Sequence, residues 1–390
     1  MISWRARPGV FDNILHQSKT VELLTAEVTA RVLPASVLFH GPRYSAKLTA
    51  ALETARALSC LKEGAWACTC DHCRSHRTLD YPWLLLAGPK NPLPEIEAGA
   101  GLLKRFRTEP RRFFLLRAVK KLLKRFDPVL WEGEESKLKG AAVLAGLQDD
   151  LETLYPPAPL EGDLPQLDRM VEACRTLTAS LPSGGLPIHQ VRKISAWART
   201  TSAGAPKFVL FENADRMQEG ARNALLKILE EPPPGTWFFL LTSQKGTVMP
   251  TILSRLRPFA FGARTPEQEQ SILASLFQAE PGSWAGLDDY FQAFETQKQG
   301  LFAQLAQTFL DGLGGAFPLE EYSRFWGEEE NYAHFLKALA ERLASDVERP
   351  LRERERLFRL VHEAQTRRET YNQSAPLLIE TLFYQSRSAP

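Results

Sequence analysis

The sequence predicts an α/β fold: a parallel five-stranded sheet flanked by helices, then an all-helical C-terminal region. Up to Gly262 short apolar runs alternate with helix-period patterns, as in a sheet whose strands are joined by helical crossovers. Beyond Gly262 the strand signals fade and helical periodicity takes over. A chain of 390 residues also exceeds one ordinary domain, so about two or three are expected.

The candidate strands are 36–39, 83–87, 208–211, 237–242 and, with the weakest signal, 258–261. A helix over 46–58 carries an apolar face through Leu48, Leu52, Ala55 and Leu58. A second helix, 217–231, aligns Met217, Ala221, Ala224, Leu225, Ile228 and Leu229, and Pro232-Pro233-Pro234-Gly235 stops it. Between Gly88 and Pro187 the alternation is interrupted by an insertion, flanked by Pro/Gly-rich segments and read as mostly helical. Its segment 102–126, with a break expected at Pro110, holds Lys104, Arg105, Arg107, Arg111, Arg112, Arg117, Lys120, Lys121, Lys124 and Arg125 against the single acid Glu109. Phe106, Phe113, Phe114, Leu115, Val119, Leu122, Leu123 and Phe126 make it amphipathic. Two readings are open: a phosphate-backbone contact, or a solvated face balanced by Glu132, Glu134, Glu135, Asp149, Asp150 and Glu152. Thr265-Pro266-Glu267 starts a helix continuing over 268–278; the remainder is helical to Gln385, with breaks at 312–318 and 374–376 and a frayed tail over 386–390.

Composition narrows the class. Hydrophobic content of 44%, charged content of 24% and a net charge of +2 are those of a soluble globular protein. Near-neutral charge means that nucleic-acid contact would have to come from local patches. No apolar run approaches the roughly 20 residues of a membrane span, and Met1–Pro8 lacks the apolar core of a signal peptide, so a cytoplasmic protein is expected.

Four of five cysteines, Cys60, Cys68, Cys70 and Cys73, crowd into one loop. Four thiolates can surround zinc tetrahedrally, and close spacing lowers the entropy of gathering them. Cys70-x-x-Cys73 is a common spacing, whereas Cys68-x-Cys70 is tighter than usual; His72 and His76 are alternative ligands, and free thiols the competing reading. Four protein ligands leave no open position, so the zinc would be structural. Cys174 reads as a core thiol.

Phe39-His40-Gly41-Pro42-Arg43-Tyr44-Ser45-Ala46-Lys47-Leu48-Thr49 stands where a phosphate-binding loop belongs, after a strand and before a helix. Gly41 and Lys47 are in register, but Ala46 replaces the glycine before the lysine, and Tyr44 stands where glycine is common. Leu48 fills the position of the metal-ligating hydroxyl. Thr49 comes one residue late, about 100° round the helix. Productive Mg-nucleotide binding is therefore not expected; the alternative is an ordinary strand–turn–helix with a chance lysine. Lys207–Asp215 has the form of a Walker B strand, but its acidic pair reads Glu212-Asn213, and an amide cannot act as a base. Glu212 and Asp215 could instead cap the following helix. Thr242 ends the fourth strand, where a sensor of the γ-phosphate commonly sits. Pro250-Thr251-Ile252-Leu253-Ser254-Arg255 puts Arg255 where an arginine finger is expected, with Arg257 the neighbouring candidate and a plain surface role the alternative.

Together these residues resemble the bacterial clamp-loader family of DNA polymerase III, within the AAA+ superfamily. The similarity runs through Phe11-Asp12-Asn13-Ile14-Leu15-His16-Gln17, Gly41–Lys47, the cysteines and Ile188-His189-Gln190-Val191-Arg192. Its most specific stretch is Asn223-Ala224-Leu225-Leu226-Lys227-Ile228-Leu229-Glu230-Glu231-Pro232-Pro233, continuing to Ser254-Arg255. The chain departs from the pattern at Leu256, where the family has cysteine, in the short first zinc spacings, and in the insertion, which has no counterpart. The resemblance implies an AAA+ domain over 1–262, with a zinc module at 58–76 and the insertion at 88–187, then a helical lid over 263–305 and a helical collar over 306–390. It implies a replication subunit that does not hydrolyse ATP and acts as a stator in a hetero-pentameric ring with motor subunits and the delta subunit. Such a ring loads the sliding clamp on primed DNA, and Arg255, beside Ser254, would reach a neighbour's ATP. Gly41, Lys47 and Thr242 would then be the remnant of a nucleotide site. Alternatives are an active motor ATPase of the same family, or a stand-alone zinc-containing DNA-binding module.

Overall fold

A computed structural model of the chain describes residues 9–88, 91–133, 140–156, 160, 165–182, 185–315, 329–346, 349–371 and 374–387. It divides into two compact units, Met1–Phe291 and Gln292–Pro390.

In the first unit, β1 (Ser36–His40), β2 (Leu84–Ala87), β3 (Lys207–Phe211), β4 (Thr236–Thr242) and β5 (Arg257–Ala260) form one sheet. The strand order is β2-β3-β4-β1-β5 and every pairing is parallel. Each lies within a residue of its expected position. β1 is an interior strand: Val37 sits opposite Phe239 on one side and Arg257 on the other. Side chains alternate between the two faces, so Leu38, Val209, Phe211 and Leu240 enter one core, and Val37, Phe39, Leu210, Phe239 and Leu241 the other. Burial on both faces is why four of the strands read as unbroken apolar runs. β5 is an edge strand in which only Phe259 is buried, and this explains its weak signal.

α1 (Ser18–Thr29) precedes the sheet, and the crossovers are helical: α2 (Lys47–Ser59), α3 (Asp71–Arg77), α4 (Leu93–Phe106), α5 (Glu109–Leu123), α6 (Pro128–Trp131), α7 (Ala141–Glu152), α8 (Gln166–Ala179), α9 (Ile188–Ala198), α10 (Glu219–Glu230) and α11 (Pro250–Leu253). α10 starts two residues later than expected; Met217 is buried in the turn before it.

The insertion, α4 to α8, is helical and shares the sheet's core: Leu103, Leu115, Leu122, Leu147, Met170 and Cys174 belong to the same apolar cluster as Val209 and Phe211. Cys174 is fully buried, and desolvation pushes its thiol up to about 12. The helix break precedes Pro110, because Arg107 adopts a left-handed conformation and Pro110 lies in the first turn of α5, where its missing N–H costs nothing.

The basic segment is largely internal rather than a solvated face. Arg111, Arg112 and Arg125 are buried. Lys104 pairs with Asp168 at 2.5 Å, Lys120 with Asp80, Lys121 with Glu95, and Arg125 with Glu212. Arg117 donates to the carbonyls of His76 (3.2 Å) and Arg77 (2.6 Å), capping the C-terminus of α3. Of the acids expected to balance this segment, Glu132 pairs instead with Lys193 and Asp150 with Arg169, while Glu134 and Glu135 lie outside the described residues.

After β5, α12 (Pro266–Phe277) opens with a full capping box between Thr265 and Gln268, and α13 (Leu287–Asp311) follows. The second unit contains α14 (Glu329–Ser345), α15 (Leu351–Tyr371) and α16 (Ala375–Arg387). Phe309 anchors its core with edge contacts to Phe335 at 5.6 Å and Phe383 at 5.3 Å. The tail expected to fray is helical to Arg387 with Ser386 buried; 388–390 and 316–318 lie outside the described residues. Among the described residues, no helix is long and apolar enough to cross a membrane.

Candidate functional site

The phosphate-type loop joins β1 to α2 at the C-terminal edge of the sheet. Its backbone follows a glycine-like path at two residues that are not glycine. Tyr44 (φ 54°) and Ala46 (φ 70°) are both left-handed, which costs a residue with a Cβ roughly 1–2 kcal/mol. Gly41 cannot be replaced without movement, since a Cβ would lie 2.2 Å from the carbonyl oxygen of Phe261. Lys47 Nζ turns back onto the loop, donating to the carbonyls of Gly41 (2.7 Å) and Pro42 and lying 3.2 Å from Ser45 Oγ. Leu48, at the hydroxyl position, packs into the α2 side of the core.

Residues from beyond β5 close over the loop. Tyr44 stacks on Phe291 with ring centroids 4.9 Å apart, Arg43 pairs with Asp288 at 3.3 Å, and Arg264 donates to the carbonyls of Tyr44 and Leu15. Sequence reasoning missed these partners, which are about 220–250 residues from the loop and carry no local pattern. His40, ending β1, has its pKa lowered by burial and then by the charges of Lys245 and Lys47.

The two acids of the second motif do not cap the next helix. Glu212 is buried and forms an ion pair with Arg125, which the insertion delivers on a 3₁₀ turn at Lys124–Phe126. Asp215 accepts a hydrogen bond from the Thr242 hydroxyl, which in turn accepts from the amide of Gln244 at 2.9 Å. Thr242 is therefore tied to the 3₁₀ turn that follows β3, and its carbonyl accepts from the Gly41 amide at 3.3 Å. Asn213 takes a left-handed conformation, which asparagine tolerates better than most residues.

Arg255 follows α11, away from the loop in sequence and on the β5 side. Its guanidinium pairs with Glu230 at the end of α10 and donates to the Thr251 carbonyl at 2.5 Å, with Ser254 Oγ at 3.3 Å. Arg257 pairs with Glu27 at 2.6 Å.

The cysteines converge. The Sγ atoms of Cys60, Cys68, Cys70 and Cys73 all lie within 4.8 Å of one another, Cys60 being 3.6 Å from Cys68 and 3.9 Å from Cys70. Tetrahedral ligands about 2.3 Å from a metal are roughly 3.8 Å apart, so this donor set fits an ion of zinc's size. Cys60 ends α2, while Cys70 and Cys73 bracket the first turn of α3. The histidines are not part of the cluster. His72 Nδ1 is 2.7 Å from the Ser59 carbonyl. His76 is buried and stacked on Tyr81 at 4.1 Å, and burial, helped by Arg117 and Arg56, pushes its pKa down to about 3. Burial opposes ionisation of Cys70, but amide donors from Cys73 and Leu61 outweigh it and bring its pKa to about 6. Four gathered sulfurs can therefore hold a metal ion, and with four protein ligands the site is closed.

The family described as "DNA polymerase III, delta subunit" matches residues 170–265, which run from α8 through β5. DNA polymerase III subunit delta' of Escherichia coli is 36% identical over 115 residues, 25% of this chain and 34% of that protein. The Haemophilus influenzae subunit delta' is 41% identical over 69 residues, 17% of this chain and 21% of that protein. The chain thus spans about a third or less of the length of these relatives. A gamma subunit-related protein of DNA polymerase III from Thermotoga maritima aligns over 51% of this chain and 78% of that one, with 17% identity and a TM-score of 0.30. Within its parallel five-stranded sheet, the segment 170–265 is thus similar to DNA polymerase III subunits, subunit delta' among them.

Proposed function

We propose that this chain is a non-hydrolysing stator of a DNA polymerase III-type clamp loader, in the cytoplasm, and supplies Arg255 in trans to the ATP of a neighbouring motor subunit. The observation that carries the reading is Leu48: the position of the magnesium-ligating hydroxyl holds an apolar side chain packed into the core. Three further features support it. Lys47 points at its own loop carbonyls, Tyr44 is stacked under Phe291, and Glu212 is committed to Arg125. Gly41, Lys47 and Thr242 then form a vestigial nucleotide site that shapes the wall of the ring.

Arg255 would leave Glu230 for the partner's phosphates. A finger offsets charge developing in the transition state and is worth about 10³–10⁵ in rate, or roughly 4–7 kcal/mol. Ser254 holds the turn that presents it, its Oγ lying 3.1 Å from the Thr251 carbonyl. The partners are motor subunits and a delta subunit in a hetero-pentameric ring, the sliding clamp, and primed DNA. The segment 263–305 serves as the lid and 306–390 as the collar. Zinc on Cys60, Cys68, Cys70 and Cys73 supplies a structural cross-link that pins the loop after α2.

Two measurements test the proposal. Titration of a fluorescent ATP analogue into the isolated chain is expected to give no Mg-dependent binding at micromolar concentration and no turnover; finding both would make the chain a motor. Arg255→Ala is expected to leave folding intact and to lower ATP hydrolysis by the reconstituted complex, and unchanged hydrolysis would remove the finger.

A further inference from the structure

We infer that Arg56 is a positioning residue of the four-cysteine site, holding the Cys73 thiolate through a direct guanidinium–sulfur hydrogen bond; this rests on the zinc reading above. Arg56 lies on α2, one turn before Cys60, and is fully buried. Its Nη1 is 3.3 Å from Cys73 Sγ, and Cys73 is itself fully buried. The rest of the fork is committed: Nη1 also donates to Ala65 O (3.1 Å), Nη2 to Val10 O (3.0 Å) and Gly64 O (3.1 Å), and Nε to Glu53 (2.7 Å). A planar guanidinium held at all three nitrogens cannot turn away from the sulfur without breaking bonds to the loop.

Charge gives this contact its purpose. A divalent ion with four thiolates carries an excess of two negative charges, which a buried site must offset. At Cys60 the backbone does so, with the amides of Lys62 and Gly64 each 3.3 Å from Sγ. At Cys73 the donor is Arg56. Glu53 does not cancel it, because Arg117 of the insertion approaches the same carboxylate at 4.0 Å, leaving one net positive charge in the trio beside the sulfur. Groups that orient metal ligands from behind are typically worth about 10–100-fold in metal affinity.

The test uses the full chain loaded with cobalt(II), whose thiolate-to-metal charge-transfer band reports the electron density on the sulfurs. Zinc release to a chelator is measured alongside, for wild type, Arg56→Gln and Arg56→Lys. Arg56→Gln, folded by far-UV circular dichroism, is expected to bind metal about 10–100-fold more weakly and to shift the band to lower energy. Arg56→Lys keeps the charge but cannot serve the sulfur and all three carbonyls, so it falls between. A folded Arg56→Gln with the wild-type band and affinity would reduce Arg56 to a staple of the loop and overturn the inference. If Arg56→Gln does not fold, Arg56→Lys decides on the same readouts, and an unchanged band and affinity overturn it. A wild-type chain that takes up neither cobalt nor zinc would overturn the zinc reading as well, a result distinct from the other two.

Discussion

Breaking the ion pair between Arg125 and Glu212 should destabilise the first unit far more than loss of an ordinary surface pair. The two side chains are 3% and 4% exposed. Removing one partner leaves the other charge in a site with almost no water, at a cost of about 3–5 kcal/mol. An exposed pair of the same kind contributes about 1 kcal/mol or less. Arg125→Met and Glu212→Gln are each expected to lower stability by the larger amount, whereas the double variant, which buries no net charge, should recover most of the loss. The coupling in this cycle is then several kcal/mol. Urea unfolding followed by circular dichroism measures it, taken on the transition assigned to residues 1–291. Single losses below about 1 kcal/mol, with no coupling, would mean that the pair is solvated, and the insertion would then not lock the acid of the second motif.

Other expectations follow from the same geometry. His76 is held neutral in the fold with a pKa of about 3, while the unfolded chain protonates near 6.5. The unfolded state therefore binds the extra proton between those values, and stability should fall as pH drops below 6.5, by about 2 kcal/mol on reaching pH 5. Comparing unfolding of wild type with that of His76→Phe isolates this contribution, and parallel pH profiles would contradict it. Ala46→Gly relieves a left-handed residue, so it should raise the urea midpoint by an amount equivalent to about 0.5–1 kcal/mol, opposite to glycine's usual effect in a helix interior. A lowered midpoint would refute the strain.

The strands were readable because burial on both faces forces continuous apolar runs, and only β5, at the edge, gave a weak pattern. The cysteine ligands were readable as types and spacings, but exclusion of His72 and His76 required the fold, since both histidines lie within a few residues of the cluster and only the direction of their rings removes them. The internal ion pairs of the basic segment were not legible for a related reason. Amphipathic periodicity separates apolar from charged positions, yet long cationic side chains reach partners that periodicity does not encode, such as Arg125 to Glu212, 87 positions away.

By itself the sequence determined what depends on neighbours along the chain: strands, crossovers, the four thiols, and a Leu48 that opens the helix after the glycine turn at Gly41. The tertiary structure decided the pairing of charges and the closure of the loop, because Arg56, Arg125, Arg255 and Phe291 acquire their roles from residues that meet only when separate elements pack. Apolar burial is non-directional and leaves a periodic trace in sequence, whereas a buried charge must find one particular counterpart, and the fold alone specifies where that counterpart lies.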